Sequence, residues 1–192
     1  MEVKMLIHDW KKNFAGAFHD FRLGWIVDIS RALNSTLRAD LYCLIEAPAT
    51  YDENDETIRS LPESAVYAAK ADHLSIRTVH GDTLVAVIEM TSPGHAEFTD
   101  QKRQLINRIE DWNRQHAKLV IVDLFAALAG DSINGVSKDG CVIKLEPGDI
   151  VDDPIIQIDN NYSKRVPLNL TYEATWNRYP AALKTLFESQ SA

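Results

Sequence analysis

Apolar residues in the first third of the chain recur at helical spacing. Phe18, Phe21, Trp25, Ile29 and Leu33 follow one another at steps of three and four, predicting an amphipathic helix from about Ala15 to Leu33, ended by Asn34-Ser35-Thr36. Leu41–Ala47 reads as a strand that Pro48 stops, and residues 48–60 are acidic and polar, hence a loop. Pro62 fits the first turn of a helix over Glu63–Ala71. His73–Val79 then alternates, and Leu84–Ile88 is five apolar residues in a row. The second run predicts a strand buried on both faces, Thr83–Met90, whose apolar run Glu89 ends and which Ser92-Pro93-Gly94 halts. His80-Gly81-Asp82 is turn chemistry, so the two strands should form an antiparallel hairpin.

A helix over Thr99–Gln115, with Leu105, Ile106, Ile109 and Trp112 on its buried side, leads into a second buried strand, Lys118–Phe125. Helix followed by buried strand is a crossover, so this strand should pair in parallel with a neighbour. Residues 126–153 hold many Gly and Asp and one short strand near Cys141–Leu145. Pro154–Asp159 and Val166–Leu170 read as short edge strands. A last helix from Thr171 carries Tyr172, Trp176, Leu183 and Leu186, and Pro180 kinks it or begins another. The expected architecture is α/β: a three-layer core with a mixed β-sheet and a C-terminal helical segment, in one domain over residues 1–192.

Composition narrows the function classes. With 28 acidic against 20 basic residues, a net charge of −8 argues against a broad nucleic-acid or anionic-membrane surface. No segment approaches the roughly 20 apolar residues of a membrane helix, and the N-terminal apolar run is too short for a signal peptide. A cytoplasmic protein is expected. Cys43 and Cys141, each among apolar neighbours, read as small core hydrophobes. Neither GxSxG, GxxxxGK[ST] nor GxGxxG occurs, which removes the usual signals for serine hydrolysis and nucleotide cradles.

Acids at strand ends carry the candidate chemistry. A carboxylate at the end of a buried strand is costly without partners, which singles out Glu89. Asp72 opens the preceding strand. Two carboxylates on neighbouring strands can hold a magnesium or manganese ion and activate water. The order of elements resembles the restriction-endonuclease-like, PD-(D/E)xK group, whose hairpin carries the metal-binding acids. That likeness implies Asp72 and Glu89 as metal ligands and catalytic acids. Its lysine is absent two residues on, where Thr91 stands, but Lys102 on the next helix is a candidate replacement. The plain structural alternative pairs Glu89 with an arginine such as Arg77.

Several further residues are candidate ligand contacts: His8, Asp9, His19, Glu46, Arg77, Ser92, His95 and Asp123. Asp9 serves equally as a helix cap. His95, after Pro-Gly, can touch an anion near a helix start or simply face solvent. Asp123 sits either at a ligand-binding strand end or accepts hydrogen bonds from the neighbouring loop.

Taken together, His8-Asp9-Trp10, Phe18-His19-Asp20-Phe21 with Trp25-Ile26, Ile76-Arg77, Val85–Glu89, Ser92-Pro93-Gly94, Val122-Asp123-Leu124-Phe125 and Val166-Pro167-Leu168 with Tyr172, Trp176 and Pro180 resemble the motifs of the DUF4058 proteins, a bacterial family of unknown function. The likeness runs along most of the chain. It departs at His95-Ala96, where that family usually has Asn-Lys, at Arg22, where a second histidine is common, and at Thr78, where a histidine often follows. The segment Ile88-Glu89 to Ser92-Pro93 is also similar to that of Uma2 proteins. Two functional expectations follow: a non-catalytic or degenerate binding module on a nuclease-like scaffold, or a metal-dependent nuclease or phosphodiesterase. Nucleic acid enters as a partner only under the second, and a divalent metal likewise. A homodimer through the short strands of the 141–168 region is a further expectation.

Overall fold

A computed structural model describes residues 6–12, 14–48, 60–129 and 140–189. A single 3-10 turn, Trp10–Lys12, precedes helix α1 (Ala15–Asn34). Strand β1 (Leu41–Glu46) and helix α2 (Glu63–Ala69) lead to the hairpin β2 (His73–Thr78) and β3 (Leu84–Met90). A short helix α3 (Pro93–Glu97) abuts α4 (Thr99–Arg114), which crosses over to β4 (Lys118–Asp123). Then come β5 (Cys141–Lys144), the hairpin β6 (Ile155–Asp159) and β7 (Tyr162–Arg165), and helices α5 (Leu168–Arg178) and α6 (Ala181–Ser189).

The central sheet has the order β1-β2-β3-β4-β5. Its first three strands are antiparallel neighbours, while β3, β4 and β5 run parallel. The fold is α/β with a mixed five-stranded sheet and C-terminal helices, as the periodicities predict. Alternation along the strands sorts side chains to two faces. Leu74, Ile76, Ile88, Val120 and Val122 join the aromatic faces of α1 and α5, around Phe21, Trp25 and Tyr172. Val87, Leu119 and Ile121 pack against Leu105, Ile109 and Trp112 of α4. Glu89 has the parity of Val87, so it projects to the α4 side, opposite Ile121 in the register.

Four details differ from expectation. Val166–Leu170 is not a strand: the second strand of that hairpin is Tyr162–Arg165, and Pro167 precedes a helix that already begins at Leu168. A proline fits the start of a helix because it lacks the N–H that an interior position needs. Glu89 is the penultimate residue of its strand rather than the last, and the strand ends at Met90 as the expected span has it. Leu84 and Val85 are only half-buried, and full burial begins at Ala86. Cys141 is exposed rather than a core hydrophobe, because β5 is the outer strand of the sheet; Cys43 is buried. Most of the acidic loop expected over 48–60 and part of the Gly/Asp-rich stretch lie outside the described residues. Among the described residues, no helix is long and apolar enough to cross a membrane.

Candidate functional site

Glu89 is wholly buried, and two helices bring cations to it. From α1, the Arg22 guanidinium stands 4.0 Å from Oε1; from α4, Arg108 stands 3.6 Å from the same oxygen. Arg22 is only 1% exposed, which is exceptional for an arginine without a direct carboxylate hydrogen bond. Its Nη2 donates instead to the backbone carbonyl of Asp72, immediately before β2. Burial pushes the Glu89 carboxyl up from its ordinary range, while Arg108 and then Arg22 pull it down. Burial likewise raises the Asp72 carboxyl, against the pull of Arg22. Arg77, the partner expected for Glu89, is engaged elsewhere: its Nε donates to Glu46 at 3.0 Å and its Nη1 to the Asp82 carbonyl at 2.9 Å.

Beside this pair lies His95, which is wholly buried and not a solvent-facing loop residue. The Ser92 backbone N–H donates to His95 Nδ1 at 3.1 Å, and the Ser92 hydroxyl lies 3.3 Å from the same nitrogen. With Nδ1 accepting, the ring proton sits on Nε2. Burial lowers the imidazole well below its ordinary value of 6.5, and Arg108 and Arg22 lower it further. The fit depends on Gly94: a Cβ there would lie 2.2 Å from the Ser64 carbonyl oxygen of α2.

His73, on β2, shares the α4 side. Its ring centroid is 4.9 Å from that of Trp112, and its Nε2 is 3.4 Å from Glu46 Oε2. Burial, outweighing Glu46, brings it down to about 4. His8 also falls to about 4, through burial and then Lys184. Both histidines, with His95, fold as neutral rings. The unfolded chain protonates them near 6.5, so each contributes stability that is full above that pH and lost as pH falls below it, for His8 and His73 down to about 4. Glu89, raised by burial, works in the opposite direction. The expected result of an NMR titration is that the ring signals of His8, His73 and His95 hold their neutral positions between pH 7.5 and 5.5. Signals moving with midpoints near 6.5 would contradict their burial as neutral groups.

The remaining predicted residues separate into other neighbourhoods. Lys102 lies half-buried on α4, but Arg108 is the α4 cation beside Glu89. His8 stacks on Trp176 with centroids 3.5 Å apart, and its Nδ1 is 2.8 Å from the Tyr172 hydroxyl. His19 stacks instead on Tyr67 at 4.2 Å, so the two histidines do not share a pocket. Asp9 sits 3.2 Å from Lys12 Nζ. Asp123 is a loop anchor: Oδ1 accepts from the Thr91 hydroxyl at 2.9 Å and the Ala127 N–H at 3.0 Å, and Oδ2 accepts from the Leu128 N–H at 3.2 Å.

Arg22 enters the sequence reading only as a departure from the DUF4058 pattern, and His73 and Arg108 are absent from its candidate residues. Two signals were available. Arg22 interrupts the apolar stripe of α1 between Phe18 and Trp25, and Arg108 adjoins Ile109 on α4. A charge on a buried stripe demands a buried partner. Among the described residues, no group of three or more His, Cys, Asp and Glu side chains is placed to hold a metal ion. No protein-family model matches the chain, and no curated protein matches it either.

Proposed function

We propose that this protein is a non-catalytic binding module on a nuclease-like α/β scaffold, akin to the DUF4058 proteins its motifs resemble. The observation that carries the reading is the company Glu89 keeps. In a two-carboxylate metal site, an acid on the inner strand faces another acid across a cation. Here the same acid faces two guanidiniums, at 4.0 and 3.6 Å. A divalent ion at that carboxylate would be repelled by both arginines at close range, where the low dielectric strengthens the repulsion. Thr91, at the position of the nuclease lysine, is committed to the Asp123 carboxylate.

The second reading, a magnesium- or manganese-dependent nuclease or phosphodiesterase, draws on one observation: the Asp72 carboxyl is near enough to act on Glu89 electrostatically. The two readings part on a calorimetric titration of the whole protein with magnesium and manganese, paired with plasmid cleavage assays. The module reading expects no saturable metal binding that depends on Glu89 and no cleavage above background. Metal-dependent cleavage that disappears in both Asp72→Asn and Glu89→Gln would establish the enzyme instead. Should Glu89→Gln fail to fold, wild type with and without metal, beside Asp72→Asn, decides the matter.

A further inference from the structure

Arg22, Arg108 and Glu89 meet without a direct hydrogen bond, at 4.0 and 3.6 Å, and both Glu89 carboxylate oxygens are buried without a partner among the described residues, as are donors on each arginine. Arg22 Nε and Nη1, and Arg108 Nε and Nη2, are buried with no hydrogen-bond partner among the described residues. His95 Nε2, the protonated ring nitrogen, is buried in the same condition; the Ala68 carbonyl faces this ring without completing a hydrogen bond. Both guanidiniums act on the His95 ring electrostatically, and each arginine is near enough to Glu89 to pair with it. Buried N–H groups left unpaired are costly, and those of a guanidinium more so. Arg22 of α1 and Arg108 of α4 share Glu89 as neighbour, and the α3 ring of His95 lies within electrostatic reach of both. The Arg108 side chain, at 14% exposure, connects it to solvent.

We infer that Arg22, Arg108 and His95 form a receptor for a small tetrahedral oxyanion of the phosphate class, with Glu89 as the internal counter-ion that the ligand displaces. The proposal rests on the reading of this site as a binding centre and names its ligand. Phosphate suits the site because it offers at least three acceptor oxygens to donors from three separate elements, where a carboxylate offers two. Guanidinium donors favour it for the same reason of geometry. A phosphodiester within a polymer is excluded by Arg22, whose 1% exposure no polymer backbone can reach. The group is therefore a free oxyanion or a terminal phosphoryl.

Calorimetric titration of the whole protein at low ionic strength tests this with inorganic phosphate and, separately, a nucleoside 5′-monophosphate. Saturable one-to-one binding of either is expected; tighter binding of the monophosphate identifies a terminal phosphoryl, and of inorganic phosphate a free ion. Arg108→Gln should weaken binding about tenfold or more, the loss of a charge-assisted hydrogen bond. Glu89→Gln should strengthen it by about tenfold, because the competing carboxylate becomes neutral. A site whose ligand was a metal ion would respond to that substitution in the opposite direction. Absence of saturable binding of both probes to wild type overturns the proposal, as does binding indifferent to Arg108→Gln. Should Glu89→Gln unfold, wild type and Arg108→Gln carry the test. Loss of the phosphate site with no metal-dependent cleavage leaves the module reading standing without this ligand; metal-dependent cleavage removes that reading whatever phosphate does.

Discussion

Replacing Arg22 with methionine is expected to cost about 3 kcal/mol of unfolding free energy, near the low end of what removing one partner of a buried ion pair costs. Methionine matches the length of the stem, so the cavity left is small. The cost comes from what remains. Glu89 keeps only Arg108 at 3.6 Å, and the Asp72 carbonyl loses its donor. Arg108 is the reason to expect the low end, since Glu89 is not wholly abandoned. The double variant Arg22→Met/Glu89→Gln should recover part of the loss, because the uncompensated charge has gone. Urea unfolding of wild type, both single variants and the double variant gives the coupling energy directly. A single-variant loss under about 1 kcal/mol, or strict additivity, would mean that the pair at 4.0 Å contributes little to the folded state.

Gly94→Ala should be nearly as damaging, for a purely steric reason. The added methyl would lie 2.2 Å from the Ser64 carbonyl oxygen, and 2.8 Å from both the Ser64 carbonyl carbon and Ala68 Cβ. Two of those atoms are backbone, so no rotamer change relieves the contact. Helix α2 has to shift away from α3. Overpacking of this kind costs about 3 kcal/mol, the upper part of its usual range, which for a domain of this size corresponds to a melting point lower by about 6–12 °C. The substitution also reaches the site, because the Ser92–His95 turn contains Gly94 and the displaced helix carries the Ala68 carbonyl. Differential scanning calorimetry of the variant measures the loss. An unchanged melting point would show that the two helices can separate freely.

Periodicity carried most of the architecture. The helix starting at Ala15, the hairpin around Gly81 and the Thr99 helix crossing to Lys118 were all readable, because each depends on local spacing. Val166–Leu170 was not, since its alternation mimics a strand while Pro167 sets up a helix N-terminus. Within the site, Glu89 was conspicuous as an acid following a buried run. Its partners were not, because Arg22 is 67 positions away and approaches from a different layer. Arg77 lies closer in sequence, but its strand directs it to Glu46. His95 misled for the opposite reason: Pro-Gly signals an exposed turn, and only the proximity of α2 buries it. Asp123 was open between two readings, and hydrogen bonds from the loop after β4 identify it as an anchor.

The Tyr172 hydroxyl, on α5, accepts from the His8 backbone N–H at 3.1 Å and from Trp10 Nε1 at 3.2 Å. Phe21 and Trp25 pack against the same ring, each with its centroid 5.0 Å away. Synthesis runs from the amino end, so α1 leaves the ribosome long before the segment that covers it. For more than 130 residues of translation, its aromatic stripe has no native cover from the carboxyl-terminal helices. A nascent chain stalled before residue 168 has the sheet to set against that stripe but lacks the α5 part of its cover.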